Sequence, residues 1–161
     1  MTDFAGVIRT LADSDVQFIL VGGVAATVHG SVRLTRDIDI VYARTGDNIE
    51  RLVDALAPHA PYLRGAPPGL PFQWERDTLL RGLNFTLTTR LGDLDLFGDL
   101  TGGGGFVELR NHASAIRIFD RDVLCLDIEW LIRVKRAAGR PKDLEAVAEL
   151  EALLDERNPS D

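Results

Sequence analysis

The chain has 161 residues, 45% of them hydrophobic and 27% charged, and a formal net charge of −7. Such a chain suits a single globular domain with one core and is not a disordered tail; its acidic balance argues against broad non-specific binding to duplex DNA, whose phosphates an acidic surface repels. The lone cysteine, Cys125, lies in an apolar run and excludes an internal disulfide or a cysteine-built zinc site.

The elements follow in chain order. Residues 3–12 carry Phe4, Val7, Ile8 and Leu11 at helical spacing. The branched apolar run 16–21 reads as a buried strand, ended by Gly22-Gly23. A helix over 24–29 is expected directly after the glycines, closed by Gly30. Strand 38–42 and helix 48–57 come next. The proline-rich stretch 58–71 reads as an irregular connection or a short strand at Tyr62-Leu63. Strands 84–89 and 93–97 are joined around Gly92, and 101–105 is a glycine-rich loop, read as a mobile lid, an acceptor-facing loop or, equally, a bare flexible turn. Strands 115–119 and 123–126 turn at Asp120-Arg121-Asp122. Two helices, 127–138 and 141–155, end the chain. Pro141 suits a first helical turn, and Leu144, Val147, Leu150 and Leu154 form the expected core stripe. The acidic start and the interrupted apolar stretch 18–28 fit neither a signal peptide nor a membrane span, so a soluble, cytoplasmic protein without a membrane partner is expected.

Three features carry chemistry. In Asp37-Ile38-Asp39 the two-residue side-chain period of a strand puts both carboxylates on one face. Adjacent carboxylates repel unless a cation lies between them, and oxygen ligands on one face suit Mg²⁺. Asp93-Leu94-Asp95-Leu96-Phe97 repeats the alternation. If this strand lies beside the first, Asp95 reaches the same cation as a third ligand, with Asp93 nearer the strand entrance. Convergence of three acids is costly without a metal and natural for in-line displacement at phosphorus. Finally, Gly22-Gly23 between a strand and a helix permits close backbone approach and leaves free N–H groups for phosphate. Neither a dinucleotide-binding glycine fingerprint nor a Walker A loop is present.

The order of these parts, with Asp37 fourteen residues after Gly23, resembles the DNA polymerase beta nucleotidyltransferase superfamily: VGGVAATVHGSVRLTRDIDIV holds its hydrophobic-Gly-Gly and Asp-hydrophobic-Asp parts. More narrowly, HGSVRLTRDIDIV and the tail LIRVKRAAGRPKDLEAVAELEAL are similar to minimal nucleotidyltransferases of the abortive-infection (AbiEii-like) toxin–antitoxin group. The resemblance covers roughly residues 16–45, 92–107 and 115–152. It implies a mixed α/β (α+β) core over about 16–126, with a mainly antiparallel sheet flanked by helices, and a C-terminal helical pair over about 127–155.

The resemblance also implies roles. Gly22 and Gly23 would hold a triphosphate; Asp37, Asp39 and Asp95 would bind Mg²⁺ (two ions, or Mn²⁺), with Asp95 the partner that takes the acceptor's proton. Ser31, Arg33 and Thr35 would touch phosphates, Lys135 would neutralise the triphosphate, and Arg140, Lys142 and Asp143 would complete the nucleotide pocket. The implied reaction moves a nucleotide from an NTP such as ATP to tRNA or protein, in a cell that also makes a cognate antitoxin. Two alternatives are an antibiotic-modifying enzyme acting on a lincosamide or aminoglycoside and a non-catalytic nucleotide-binding antitoxin or regulatory module.

Overall fold

The computed structural model describes residues 1–159. Helix α1 (Phe4–Asp13) is capped by the Asp3 side chain, which accepts from Gly6 N at 2.9 Å. Strand β1 (Phe18–Val21) is buried throughout and runs straight into α2 (Gly22–Val28). Strand β2 (Asp37–Tyr42), helix α3 (Gly46–Leu56) and strand β3 (Tyr62–Leu63) follow, with a 3-10 turn (Ala57–His59) before β3. Next come α4 (Arg76–Arg81), β4 (Phe85–Thr89), β5 (Gly92–Phe97) and the single turn α5 (Phe106–Leu109). The chain ends with β6 (Ala113–Ile118), β7 (Arg121–Leu126), α6 (Ile128–Ala138) and α7 (Pro141–Arg157).

The strands form one seven-stranded sheet ordered β3-β4-β5-β2-β1-β7-β6. Pairs β2–β5 and β1–β7 are parallel, and the other four are antiparallel. The architecture is therefore the mixed, mainly antiparallel sheet flanked by helices that the sequence implies. The central strands supply the core, with Ile19, Leu20, Ile38, Ile40, Leu94 and Leu96 all fully buried. No helix among the described residues is long and apolar enough to cross a membrane.

Several expectations move. The α2 helix does not wait for the glycines to pass: Gly22 and Gly23 are its first two residues, and Val21 is its cap. The β4–β5 turn is made by Arg90-Leu91 and the β6–β7 turn by Phe119-Asp120, the latter pair both at positive φ. Helices α4 and α5 were unforeseen, being too short to show a period. The α7 stripe is rotated: Asp143, Ala146, Val147 and Leu150 are buried, whereas Leu144 is 49% exposed. The glycine loop 101–105 is not a free lid. A Cβ at Gly102 would lie 2.5 Å from that of Ala137, one at Gly103 would meet Val134 at 2.8 Å, and Arg133 Nε donates to Gly102 O. The glycines let this turn lie flat on α6. Cys125 is buried, and burial, followed by the nearby Asp127, pushes its thiol up to about 12, so it stays an uncharged small hydrophobe.

One buried polar side chain ties α3 to the sheet. Asn48 is fully buried; its Oδ1 accepts from Gln17 N at 2.7 Å, and its Nδ2 donates to Gln17 O and Ala43 O. These bonds satisfy Gln17 N and the Ala43 carbonyl, and add a second donor to the Gln17 carbonyl, which also accepts from Ala43 N at 3.2 Å. Asn48→Leu, close in volume but without donors or acceptors, is expected to lower unfolding free energy by about 2–4 kcal/mol in urea denaturation. A loss below about 0.5 kcal/mol would mean those backbone groups find other partners.

Candidate active site

The register of the sheet builds the site. Parallel pairing of β2 with β5 sets Asp37 opposite Asp93 and Asp39 opposite Asp95. Their neighbours Ile38, Ile40, Leu94 and Leu96 point into the core, so all four carboxylates stand on the other face. One carboxylate oxygen from each of Asp37, Asp39 and Asp95 lies within 4.8 Å of the others. The three acids singled out from the sequence therefore converge.

Asp39 is the most constrained of them. It stands opposite Val21, the last residue of β1, so the chain turns into α2 directly above its carboxylate. Gly22 makes that possible: its φ is +65° and a Cβ there would overlap the Asp39 carboxylate. Gly23 leaves room in the same way for Thr35, whose Oγ1 would be 2.5 Å from a Cβ. Enclosure raises the Asp39 pKa to about 8, chiefly through burial, then through repulsion from Asp37 and Asp95. Asp95 is shifted in the same direction, mainly by burial. Asp39 Oδ1 is buried without a hydrogen-bond partner. A buried carboxylate with an orphaned oxygen, beside two further carboxylates, fits a hard divalent cation, which takes oxygen ligands and removes the repulsion.

Two cavities flank Asp39. The larger, about 510 Å³, is bounded by Gly23, Ser31, Arg33, Thr35, Asp37, Asp95 and Lys142, among others. The smaller, about 190 Å³, has Gly22, Asn84, Asp99 and the apolar Leu100, Leu131 and Val134 on its walls. Asp39, Phe97, Lys135, Arg140 and Asp143 border both.

Every residue given a site role from the sequence thus borders one cavity or both, while Asp93 borders neither, and not all of those residues are free. Ser31 donates to Glu149 at 2.5 Å, and Arg33 lies 3.4 Å from Glu145. Thr35 donates to the Asp37 carbonyl. Lys135 forms no ion pair within 4 Å among the described residues; burial lowers its pKa, opposed by Asp143 and Asp39. The Gly139-Arg140-Pro141 segment is a helix corner: Gly139 ends α6 at φ +69°, Arg140 caps α7 and Pro141 opens it. Burial raises the Asp143 pKa, but the Arg140 guanidinium 2.6 Å away outweighs it and keeps the acid ionised.

The sequence reading missed Arg64, which sits among the carboxylates, and the smaller cavity's wall of Asn84, Asp99 and Leu100. Arg64 follows a two-residue strand in a proline-rich stretch, and no local pattern ties it to Asp95.

No protein-family model matches the chain, and no curated protein matches it in sequence. Solved structures do match in fold. Lincosamide antibiotic adenylyltransferase LnuA, solved with lincomycin bound, superposes at a TM-score of 0.60 with 16% identity, over 91% of this chain and 93% of that one. A Thermotoga maritima protein assigned as a nucleotidyltransferase gives 0.54 at 14% identity, over 97% and 96% of the two chains. An antigenic nucleotidyltransferase-like protein from Paracoccidioides brasiliensis gives 0.54 at 16%, over 94% of this chain and 77% of that one. The fold is the one these nucleotidyltransferases share.

The Asp39 proton has a measurable consequence. The unfolded chain ionises this group near its ordinary 3.8, while the metal-free fold holds the proton up to about 8. The fold thus loses stability relative to the unfolded chain as pH rises through that window. Asp39→Asn removes the ionisation. In chelator, its melting temperature relative to wild type is expected to climb from about pH 5 to about pH 8. A difference that stays constant across that range would show that Asp39 ionises normally.

Proposed function

We propose that this chain is a Mg²⁺-dependent nucleotidyltransferase that moves a nucleoside monophosphate from an NTP, ATP first among the candidates, to a hydroxyl of an acceptor. The observation that carries this reading is the register of β2 against β5, which brings Asp37, Asp39 and Asp95 together, with Asp39 Oδ1 buried and unpartnered. The shared fold supports it.

Asp37, Asp39 and Asp95 are the residues that would hold the cation. When bound, it supplies positive charge that lowers the acceptor hydroxyl's pKa and screens the leaving pyrophosphate. The chain's own groups do the rest. The acceptor oxygen forms its bond to the α-phosphorus, the bond from that phosphorus to the bridging oxygen breaks, and pyrophosphate leaves. Asp95 accepts the acceptor's proton. The triphosphate occupies the larger cavity, where Arg33, Lys135, Arg140 and Lys142 offset its charge and Gly23 and Thr35 line the wall, while Gly22 lets the start of α2 close over Asp39. Ser31, bound to Glu149, and Asp143, bound to Arg140, hold that wall in place.

For the acceptor we propose a small hydroxylated molecule. The fold shared with a lincosamide adenylyltransferase extends over nine-tenths of both chains. The net charge of −7 suits a cationic small molecule better than RNA, and so does Asp99 on the wall of the smaller cavity. The tail segment Ala138-Gly139-Arg140-Pro141-Lys142-Asp143 supports a second reading, a toxin-type transferase acting on tRNA or protein.

Pyrophosphate release tests both. Asp37→Asn, Asp39→Asn and Asp95→Asn are each expected to lower Mg²⁺-dependent turnover by at least about a hundredfold without unfolding the protein. Wild-type turnover in any of them would remove that acid from the mechanism. Release that requires a lincosamide or aminoglycoside would support the small acceptor, and release that requires tRNA would support the toxin reading. Thermal stabilisation by NTP and Mg²⁺ with no release under any acceptor would mark a binding module.

A further inference from the structure

Arg64 directly follows β3, with its N–H on the Thr86 carbonyl. Thr86 is opposite Asp95, Asp95 opposite Asp39 and Asp39 opposite Val21. Arg64 therefore begins a row of side chains that crosses the sheet on the site face. Its Nη2 donates to Asp95 Oδ1 and to the Leu87 carbonyl, both at 2.7 Å. Its Nη1 lies 3.7 Å from Asp37 Oδ2, and its Nε lies 3.5 Å from Asp93 Oδ2. One guanidinium touches three of the four carboxylates and makes a close bond with only one.

That geometry differs from the bidentate arginine–carboxylate pair, in which two parallel N–H groups meet one carboxylate. Here Nη2 is fixed at both its contacts, whereas Nη1 meets Asp37 only at long range and the buried Nε has no hydrogen-bond partner. Asp37 and Asp95 are also two of the three acids that would hold a cation.

From this we infer that Arg64 is a positioning residue and the internal counter-ion of the metal-free centre. Its charge holds Asp37, Asp93 and Asp95 together before a cation arrives. Asp37, held only at 3.7 Å from Nη1, would be free to serve a cation, while Nη2 is bonded to Asp95 Oδ1 at 2.7 Å and would keep that side chain in place. The guanidinium thus opposes metal binding and yet aims the acid that takes the acceptor's proton. This rests on the reading of the site as a divalent-metal centre.

Losing Arg64 should therefore move two quantities in opposite directions. A merely structural arginine would move both downward. Mn²⁺ is titrated into the NTP-free protein by calorimetry, and pyrophosphate release is measured separately at saturating NTP and metal. Arg64→Met and Arg64→Gln are each expected to bind Mn²⁺ about tenfold more tightly than wild type, because a nearby positive charge is gone. They are expected to release pyrophosphate at least about tenfold more slowly, because Asp95 is no longer held. Arg64→Lys keeps the charge without the planar fork, so its Mn²⁺ affinity should stay near wild type while its turnover falls. Mn²⁺ binding that is unchanged or weaker in folded Arg64→Met and Arg64→Gln would overturn the counter-ion role and leave the metal centre standing. Absence of Mn²⁺ binding in wild type and variants alike would overturn the metal centre itself. If neither neutral variant folds, Arg64→Lys decides: full turnover there overturns the positioning role.

Discussion

The site depends on one in-phase pairing, that of β2 with β5. Each strand alone would place its acids on one face and its aliphatics on the other. Paired in parallel and in phase, they set carboxylate beside carboxylate on one side of the sheet and Ile38, Ile40, Leu94 and Leu96 together on the other. The apolar side holds the register, because a slip by one residue would bury acids and expose aliphatics. The repulsion on the polar side is thus imposed by burial on the apolar side, and it persists until a positive charge relieves it.

The rest of the fold encloses that charge. Gly22 brings the start of α2 down onto Asp39, and the corner at Gly139 swings Arg140 and Asp143 back towards the same carboxylate from the far end of the chain. The glycine turn at 101–105 closes against α6, the helix that carries Lys135. A protein selected only for stability would not bury an ionisable group of this kind without a partner. The cost is confined to a few side chains, and a sheet with a fully buried aliphatic face bears it.

Much of this was legible in the sequence. Asp37-Ile38-Asp39 and Asp93-Leu94-Asp95 announce their faces through alternation alone, because the two-residue period is a local property. The long helices show their apolar stripes for the same reason. Legibility fails where long-range packing decides. Leu144 reads as core, yet α7 is turned so that its capping Asp143 faces the site and Leu144 faces water. Helices α4 and α5 span too few residues for a period to appear. Arg64 is the clearest case. Two neighbouring strands, β4 and β5, carry it to the carboxylates, and nothing within ten residues of it names them. The pairing of β2 with β5 was itself conditional in the sequence, which gave the faces of each strand and left their adjacency to the fold.

The two cavities share more than a boundary. Asp39, Phe97, Lys135, Arg140 and Asp143 form a common partition, and four of those five side chains are ionisable. A molecule that enters one chamber and draws Lys135 or Arg140 towards itself changes the charge and contour of the wall facing the other. The chambers are therefore not independent seats. A change at any one of these side chains alters both cavities at once.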